Sequence, residues 1–203
     1  MEKTLKIVEI FNSVQGEGSN AGMQMTFVRL FGCSMRCAFC DTKESWEKEA
    51  YTEMSISEII NHVKSMNCQS VCITGGEPME QDIDKLVYAM SLLNYWIAIE
   101  TNGSFYRPKS IHCFNWIAVS PKAFVHKEYL NRANEIKFVI EKGTAEEFNK
   151  VCNVRSTFSS FIPTYLQAMD NNNEVMQKIV DFIPTMDLQF RLGFQIHKFY
   201  NIK

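Results

Sequence analysis

The sequence contains no apolar run of membrane-spanning length, where a helix would need about 20 such residues, so no membrane partner is expected. It contains no cluster of lysines and arginines, and its net charge is −2. That balance argues against direct contact with nucleic acid. No internal repeat, low-complexity tract or Gly/Ser/Pro linker interrupts it, so one domain over residues 1–203 is the default reading. The opening residues Met1-Glu2-Lys3-Thr4-Leu5-Lys6 lack the apolar stretch of a signal peptide, and a cytoplasmic location is expected. Hydrophobic residues make up 46% of the chain, enough for a sizeable globular core.

Cysteine is present, seven in all, but not in a disulfide pattern. Cys68, Cys72, Cys113 and Cys152 lie in or beside apolar stretches and read as small buried hydrophobes in a reducing compartment. The other three sit in Gly32-Cys33-Ser34-Met35-Arg36-Cys37-Ala38-Phe39-Cys40-Asp41-Thr42, with three and then two residues between them. Any disulfide among them leaves one thiol over. Three thiolates with one position open suit a reactive metal centre, and an all-sulfur set selects an iron–sulfur cluster or zinc. A zinc site would need a fourth ligand, for instance His112 or Cys113.

Strands and helices alternate along the chain. Lys6–Phe11 and Met25–Phe31 read as strands, the second running directly into the cysteine loop. Ser55–Met66 has apolar residues at helical spacing, with Ser55 and Glu58 placed for a capping box. Ser70–Ile73, Trp96–Ile99, Asn115–Val119, Glu135–Ile140 and Phe161–Leu166 read as further strands. Ile83–Leu93, Thr144–Val151 and Asn173–Phe182 read as helices, and Gln189–His197 as a final extended segment. This alternation predicts an α/β fold, a partial, open βα barrel of about six parallel strands. In such folds ligands gather at the carboxyl ends of the strands. The polar segments obey that order: the cysteine loop, Thr74-Gly75-Gly76-Glu77-Pro78, Glu100-Thr101-Asn102-Gly103, Ser120-Pro121-Lys122 and Leu166-Gln167 each close an apolar strand.

Several of these segments carry two readings. Thr74–Pro78 is either a strand–helix turn or a backbone approach to a ligand ammonium, with Glu77 as acceptor. Glu100 sits in a strand-end turn and could also reach a ribose. Lys122 is a solvated loop lysine or a cation for a ligand carboxylate. Arg29 alternates with Val28 and Leu30, so it points to solvent or into an interior that must supply a carboxylate. Thr42 is a turn residue or an oxygen ligand for Mg²⁺. His197, in Gln195-Ile196-His197-Lys198, is packed, solvated or functional.

The cysteine spacing, with Phe39 before the last cysteine, resembles the signature of radical S-adenosylmethionine (SAM) enzymes. A closer resemblance rests on Phe11-Asn12-Ser13-Val14-Gln15-Gly16-Glu17-Gly18, Phe27-Val28-Arg29-Leu30, Gly32 to Thr42, Ile73–Pro78, Val119–Lys122, Ala133–Lys137 and the ending Arg191-Leu192 to Asn201-Ile202. Together these resemble the 7-carboxy-7-deazaguanine synthase family over nearly the whole chain. The resemblance implies conversion of 6-carboxy-5,6,7,8-tetrahydropterin to 7-carboxy-7-deazaguanine with loss of ammonia, on the way to queuosine and other deazapurines. It implies that a 5′-deoxyadenosyl radical would take hydrogen from the pterin and that SAM would be regenerated. It further implies that Cys33, Cys37 and Cys40 hold a 4Fe–4S cluster and that Thr42 ligates Mg²⁺. SAM would be contacted by Phe39, Cys40, Asp41, Gly76, Ser120, Pro121, Lys122 and the segment Leu166, Gln167, Ala168, Met169. The pterin would be contacted by Val14, Gln15, Gly16, Arg29 and Thr74. A homodimer and an electron donor such as flavodoxin or ferredoxin are expected by the same resemblance.

Two departures are small: Ser34 stands where Asn or Pro is common, and Phe39 where Trp is frequent. The stretch between Thr42 and the first helix is short, which leaves no room for a larger insertion there. A radical SAM activating enzyme for a glycyl-radical protein shares part of this frame, but normally continues after the third cysteine with Asn or His-Asn rather than Asp-Thr. A zinc-binding module without enzymatic activity is the other alternative, and would purify colourless with zinc alone.

Overall fold

The computed structural model describes residues 3–47, 51–186 and 190–203. Its strands are β1 (Thr4–Val14), β2 (Gln24–Leu30), β3 (Thr52–Ser55), β4 (Ser70–Gly75), β5 (Trp96–Thr101), β6 (Trp116–Val119), β7 (Glu135–Ile140), β8 (Thr164–Ala168) and β9 (Phe190–Gly193). Its helices are α1 (Ile56–Ser65), α2 (Asp84–Leu92), α3 (Tyr129–Arg132), α4 (Ala145–Arg155), α5 (Asn173–Phe182) and α6 (Ile196–Tyr200). The chain divides into two compact units.

The first unit comprises Met1–Ser13, Gln24–Thr101 and Phe105–Ile117. Its strands run in the order β3-β1-β2-β4-β5. β2, β4 and β5 pair in parallel, while β3 pairs with β1 antiparallel. Val71, Cys72 and Ile73 are consecutive and wholly buried. A strand buried on both faces reads as a continuous apolar run, as parallel sheets require. The capping box at α1 is formed: Ser55 accepts from the Glu58 amide, and the Ser55 amide donates to Glu58 Oε2 at 2.7 Å. This cap satisfies amides the helix cannot, and is worth about 1 kcal/mol. α1 then buries Ile59 and Val63, and α2 buries Leu86, Val87 and Met90.

The second unit comprises Val14–Met23, Asn102–Ser104 and Ala118–Lys203. Here the end of β6, from Ala118, is followed by β7, β8 and β9 in that order, parallel throughout. All of β8 is buried. α4 starts on a second capping box, Thr144 with Glu147, and buries Phe148 and Val151. The Phe148 ring stacks on Phe182 of α5 at 4.1 Å, which fastens α4 to α5.

Three expectations change. β3 is a polar edge strand whose Thr-Glu-Met-Ser carries no apolar alternation, so the sequence pattern does not predict it. The strand expected over Phe161–Leu166 runs instead from Thr164 to Ala168, and Phe161 is 94% exposed. Pro163 has no amide to give a ladder, so the strand starts after it. The final extended segment stops at Gly193 and α6 takes over at Ile196; Gln189, its expected start, lies outside the described residues.

Candidate functional site

In the first unit the carboxyl ends of β2, β4 and β5 share an edge, because the three strands are parallel. β2 delivers the cysteine loop there. Gly32 anchors it by donating to the Ser45 carbonyl at 2.7 Å, and Arg36 turns the chain in the left-handed region at φ 43°. Cys33, Cys37 and Cys40 are half-buried free thiols. The Trp46 indole N–H donates to Cys40 Sγ at 3.3 Å, and Thr42 Oγ1 lies 3.7 Å from the same sulfur. Burial pushes the Cys33 thiol up; the Met35 and Arg36 amides draw it down, and the Glu80 and Glu77 carboxylates add to the rise.

The three sulfurs do not all lie within 4.8 Å of one another. One tetrahedral zinc with bonds of about 2.3 Å would bring its sulfurs to roughly 3.8 Å apart. Three soft donors on one loop, with no fourth protein ligand gathered to them among the described residues, suit an iron–sulfur cluster. The donor set therefore fits a 4Fe–4S cluster with three protein ligands. Among the described residues neither His112 nor Cys113 gathers with two of these cysteines.

The Thr74–Pro78 segment is built against this loop. A Cβ at Gly76 would fall 2.2 Å from the Gly32 carbonyl oxygen and 2.9 Å from Cys33 Cβ, so only glycine fits. The Glu77 amide donates to that same Gly32 oxygen at 2.8 Å. Its carboxylate turns inward, 1% exposed, accepting from the Met79 amide at 3.0 Å and the Thr101 hydroxyl at 2.7 Å. Both bonds fall on Oε1, which thereby braces the turn.

Arg29 of β2 lies in register with Thr74 of β4. It is not solvated: its side chain is 16% exposed, its Nε donates to Glu9 Oε1 at 2.9 Å, and it stands 5.8 Å from the Phe11 ring. The Nη groups have no further hydrogen-bond acceptor among the described residues. Phe39 is half-buried and Asp41 exposed on the cysteine loop, and Glu100 is half-buried at the end of β5.

In the second unit the loop Val14–Met23 is closed by Gln15 and Met23 (2.8 Å) and by Gly22 and the Gln15 carbonyl (2.8 Å). The Gln15 side chain accepts from the Glu17 amide at 3.1 Å. The Ile196 amide donates to the Gly16 carbonyl at 2.9 Å. A Cβ at Gly16 would fall 2.1 Å from His197 Nδ1, so His197 is packed on the loop's backbone. Glu17 receives Lys137 Nζ on Oε2 and Gln195 Nε2 on Oε1, each at 2.9 Å. Ser19 is held by Glu135 Oε2, 2.7 Å from its amide, and by the Tyr165 hydroxyl at 3.0 Å.

Burial alone would raise the Glu17 carboxyl. The Lys137 charge, the hydrogen bonds from Gln195 and Lys137, and the charge of His197 outweigh it and lower the carboxyl to about 2. Glu17 is therefore a fixed anion across the physiological range.

Ser120-Pro121-Lys122 leaves the end of β6, with Lys122 Nζ donating to Ser120 Oγ at 2.9 Å. On β8, Leu166 and Ala168 are wholly buried. Gln167 is 3% exposed, and its Oε1 is buried with no hydrogen-bond partner among the described residues. An orphaned buried carbonyl is costly, and a ligand donor would satisfy it. Met169 is half-buried in the turn that follows.

Glu9, Glu17, Lys137 and Gln195 were not assigned roles from the sequence. One signal was available: Glu135 and Lys137 alternate with Ile136 and Phe138 in a strand, and charged residues two apart in a core strand need buried partners.

Residues 28–187 match the sequence model of the radical SAM superfamily. A 7-carboxy-7-deazaguanine synthase from Synechocystis sp. is 32% identical over 199 residues, covering 97% of this chain and 93% of its own length. The chain belongs to the 7-carboxy-7-deazaguanine synthase family. A second relative of that name, from Rickettsia prowazekii, is 33% identical over 223 residues, 98% of this chain and 89% of its own. The crystal structure of QueE from Escherichia coli superimposes with a TM-score of 0.82 at 26% identity, covering 96% of this chain and 95% of that one. The fold is thus α/β, an open βα barrel of the radical SAM type. Membership of the superfamily implies a 4Fe–4S cluster and SAM, and makes the chain a radical SAM enzyme. No helix among the described residues is long and apolar enough to cross a membrane.

Proposed function

We propose that this single radical SAM domain converts 6-carboxy-5,6,7,8-tetrahydropterin to 7-carboxy-7-deazaguanine, releasing ammonia, as a step of queuosine biosynthesis. The observation that carries the reading is the cysteine loop at the end of β2, with Gly76 pressed against Cys33, in a chain that covers 93% of a synthase of that name. Cys33, Cys37 and Cys40 would hold the cluster, and cluster and SAM together supply the hydrogen-abstracting chemistry.

The chain's own residues bind, orient and exclude water. Arg29, half-buried with one edge tied to Glu9, presents the rest of its fork to the substrate carboxylate. Thr74, in register beside it, adds a hydroxyl. Gln15 and the backbone of Val14 and Gly16 offer paired donors and acceptors to the pterin edge. By the family resemblance Phe39, Cys40, Asp41, Gly76, Ser120, Pro121, Lys122 and the Leu166–Met169 segment would contact SAM, and the unpartnered Gln167 carbonyl supports that part of the assignment. Thr42 would ligate Mg²⁺, a hard ion that prefers oxygen. We further propose a cytoplasmic homodimer reduced by a flavodoxin- or ferredoxin-type donor.

The test is anaerobic turnover of the carboxytetrahydropterin with SAM, Mg²⁺ and a reductant, alongside iron content. About four irons per chain and formation of the deazapurine are expected. Cys37→Ala should lose both iron and product, whereas Cys68→Ala, whose thiol is bonded to the Gln24 and Ser70 carbonyls, should lose neither. A Cys37→Ala protein with full iron and activity would overturn the assignment.

A further inference from the structure

The amide and the hydroxyl of Ser34, the residue next to Cys33, both donate to one oxygen, Glu80 Oε1, each at 2.7 Å. Glu80 lies in the 3-10 turn Pro78–Glu80, directly after the segment that braces the cysteine loop. That turn is itself held rigid. Arg107 Nε donates to the Met79 carbonyl at 2.8 Å, and its Nη2 to the Glu80 carbonyl at 3.1 Å. Arg107 Nη1 also stands 3.7 Å from Asp82, which pairs with Lys3. The carboxylate of Glu80 is therefore fixed beside the first cysteine by its own backbone and not only by Ser34.

We infer that Glu80 is a positioning residue that makes the cluster of this enzyme harder to reduce. The inference rests on the cluster reading above. The potential of an iron–sulfur centre is set by net charge, hydrogen bonds to its sulfurs and solvent exposure. Residues that contact only the ligand loop act through the same terms. Glu80 works on two of them in one direction. Its charge, adjacent to the loop, disfavours an added electron. Its oxygen also engages the two polar hydrogens of Ser34, which are then withheld from sulfur. Glu80 is half-buried, so solvent screens the charge only in part.

The test uses the full chain, reconstituted anaerobically, with iron content and the EPR-monitored midpoint potential as readouts. Glu80→Gln keeps an acceptor for the Ser34 amide but removes the charge. We expect wild-type iron and a more positive potential. Glu80→Ala also releases both Ser34 donors, and its potential should move further in the same direction. If Glu80→Ala fails to hold iron, Glu80→Gln carries the comparison alone. A fully loaded Glu80→Gln cluster with an unchanged potential overturns the inference. So does loss of iron from both variants, which would assign Glu80 to forming the loop and nothing more. Wild-type protein that binds no iron would remove the cluster reading itself, before any variant is compared.

Discussion

Arg29→Lys is expected to retain its iron and to cleave SAM, while product formed per SAM cleaved falls on the order of 10²-fold. The hydrogen to be removed sits on the carbon that bears the substrate carboxylate, so a shift of about 1 Å in that carbon costs rate steeply. A guanidinium grips a carboxylate through two parallel bonds and sets its direction; an ammonium sets only distance. The structure adds a reason specific to this chain. Arg29 spends its Nε on Glu9 at 2.9 Å, which fixes the plane of the fork. Lysine has one nitrogen and cannot hold Glu9 and the substrate in the same geometry. The stacked pair Phe11 and Phe27, 5.3 Å apart, leaves the head group beside apolar rings rather than in bulk water. Iron content and the ratio of product to cleaved SAM are the measurements, and wild-type coupling in Arg29→Lys would return Arg29 to a purely structural pairing with Glu9.

Lys137→Met is the second large effect, on stability. Lys137 and Glu17 are 4% and 16% exposed at the side chain and 2.9 Å apart. Removing one partner of such a pair strands the other charge and typically costs about 3–5 kcal/mol. Methionine matches the lysine stem in size, so the loss reports the charge rather than a cavity. Adding Glu17→Gln should recover part of it, because no ion is then stranded. Urea unfolding measures both, and a loss below about 1 kcal/mol in Lys137→Met would mean that water already solvates Glu17.

The same pair sets a pH dependence with a definite sign. The Glu17 carboxyl is lowered from 4.5 to about 2 in the folded chain. Its contribution is complete above the unfolded value and is lost as pH falls through the folded one. Wild-type protein should therefore lose roughly 3 kcal/mol from this group between about pH 5 and pH 2. Lys137→Met lacks the cause of the shift and should show a flatter acid limb.

Local order was legible wherever one short run carries its own cause. The capping box at Ser55 and Glu58 involves residues three apart, and it is present. The buried parallel strands announce themselves as unbroken apolar runs, as at Val71–Ile73. The cysteine loop states its donor chemistry in eight residues. β3 and α6 were not legible, because neither carries a hydrophobic period of its own; each is placed by what it pairs with or packs on.

The partners of the charged residues belong to tertiary structure alone. Glu17 meets Lys137 from 120 positions away and Gln195 from 178. Ser34 meets Glu80 across 46, and Arg29 meets Glu9 across 20. Parallel strands are joined by crossovers, and a crossover writes no register into the residues at either end. Which side chain faces which is decided only when the strands are laid side by side. Hence Arg29 could be read from the sequence as solvent-facing, the usual case, or as buried against a carboxylate, and only the fold brings it to Glu9 and into register with Thr74.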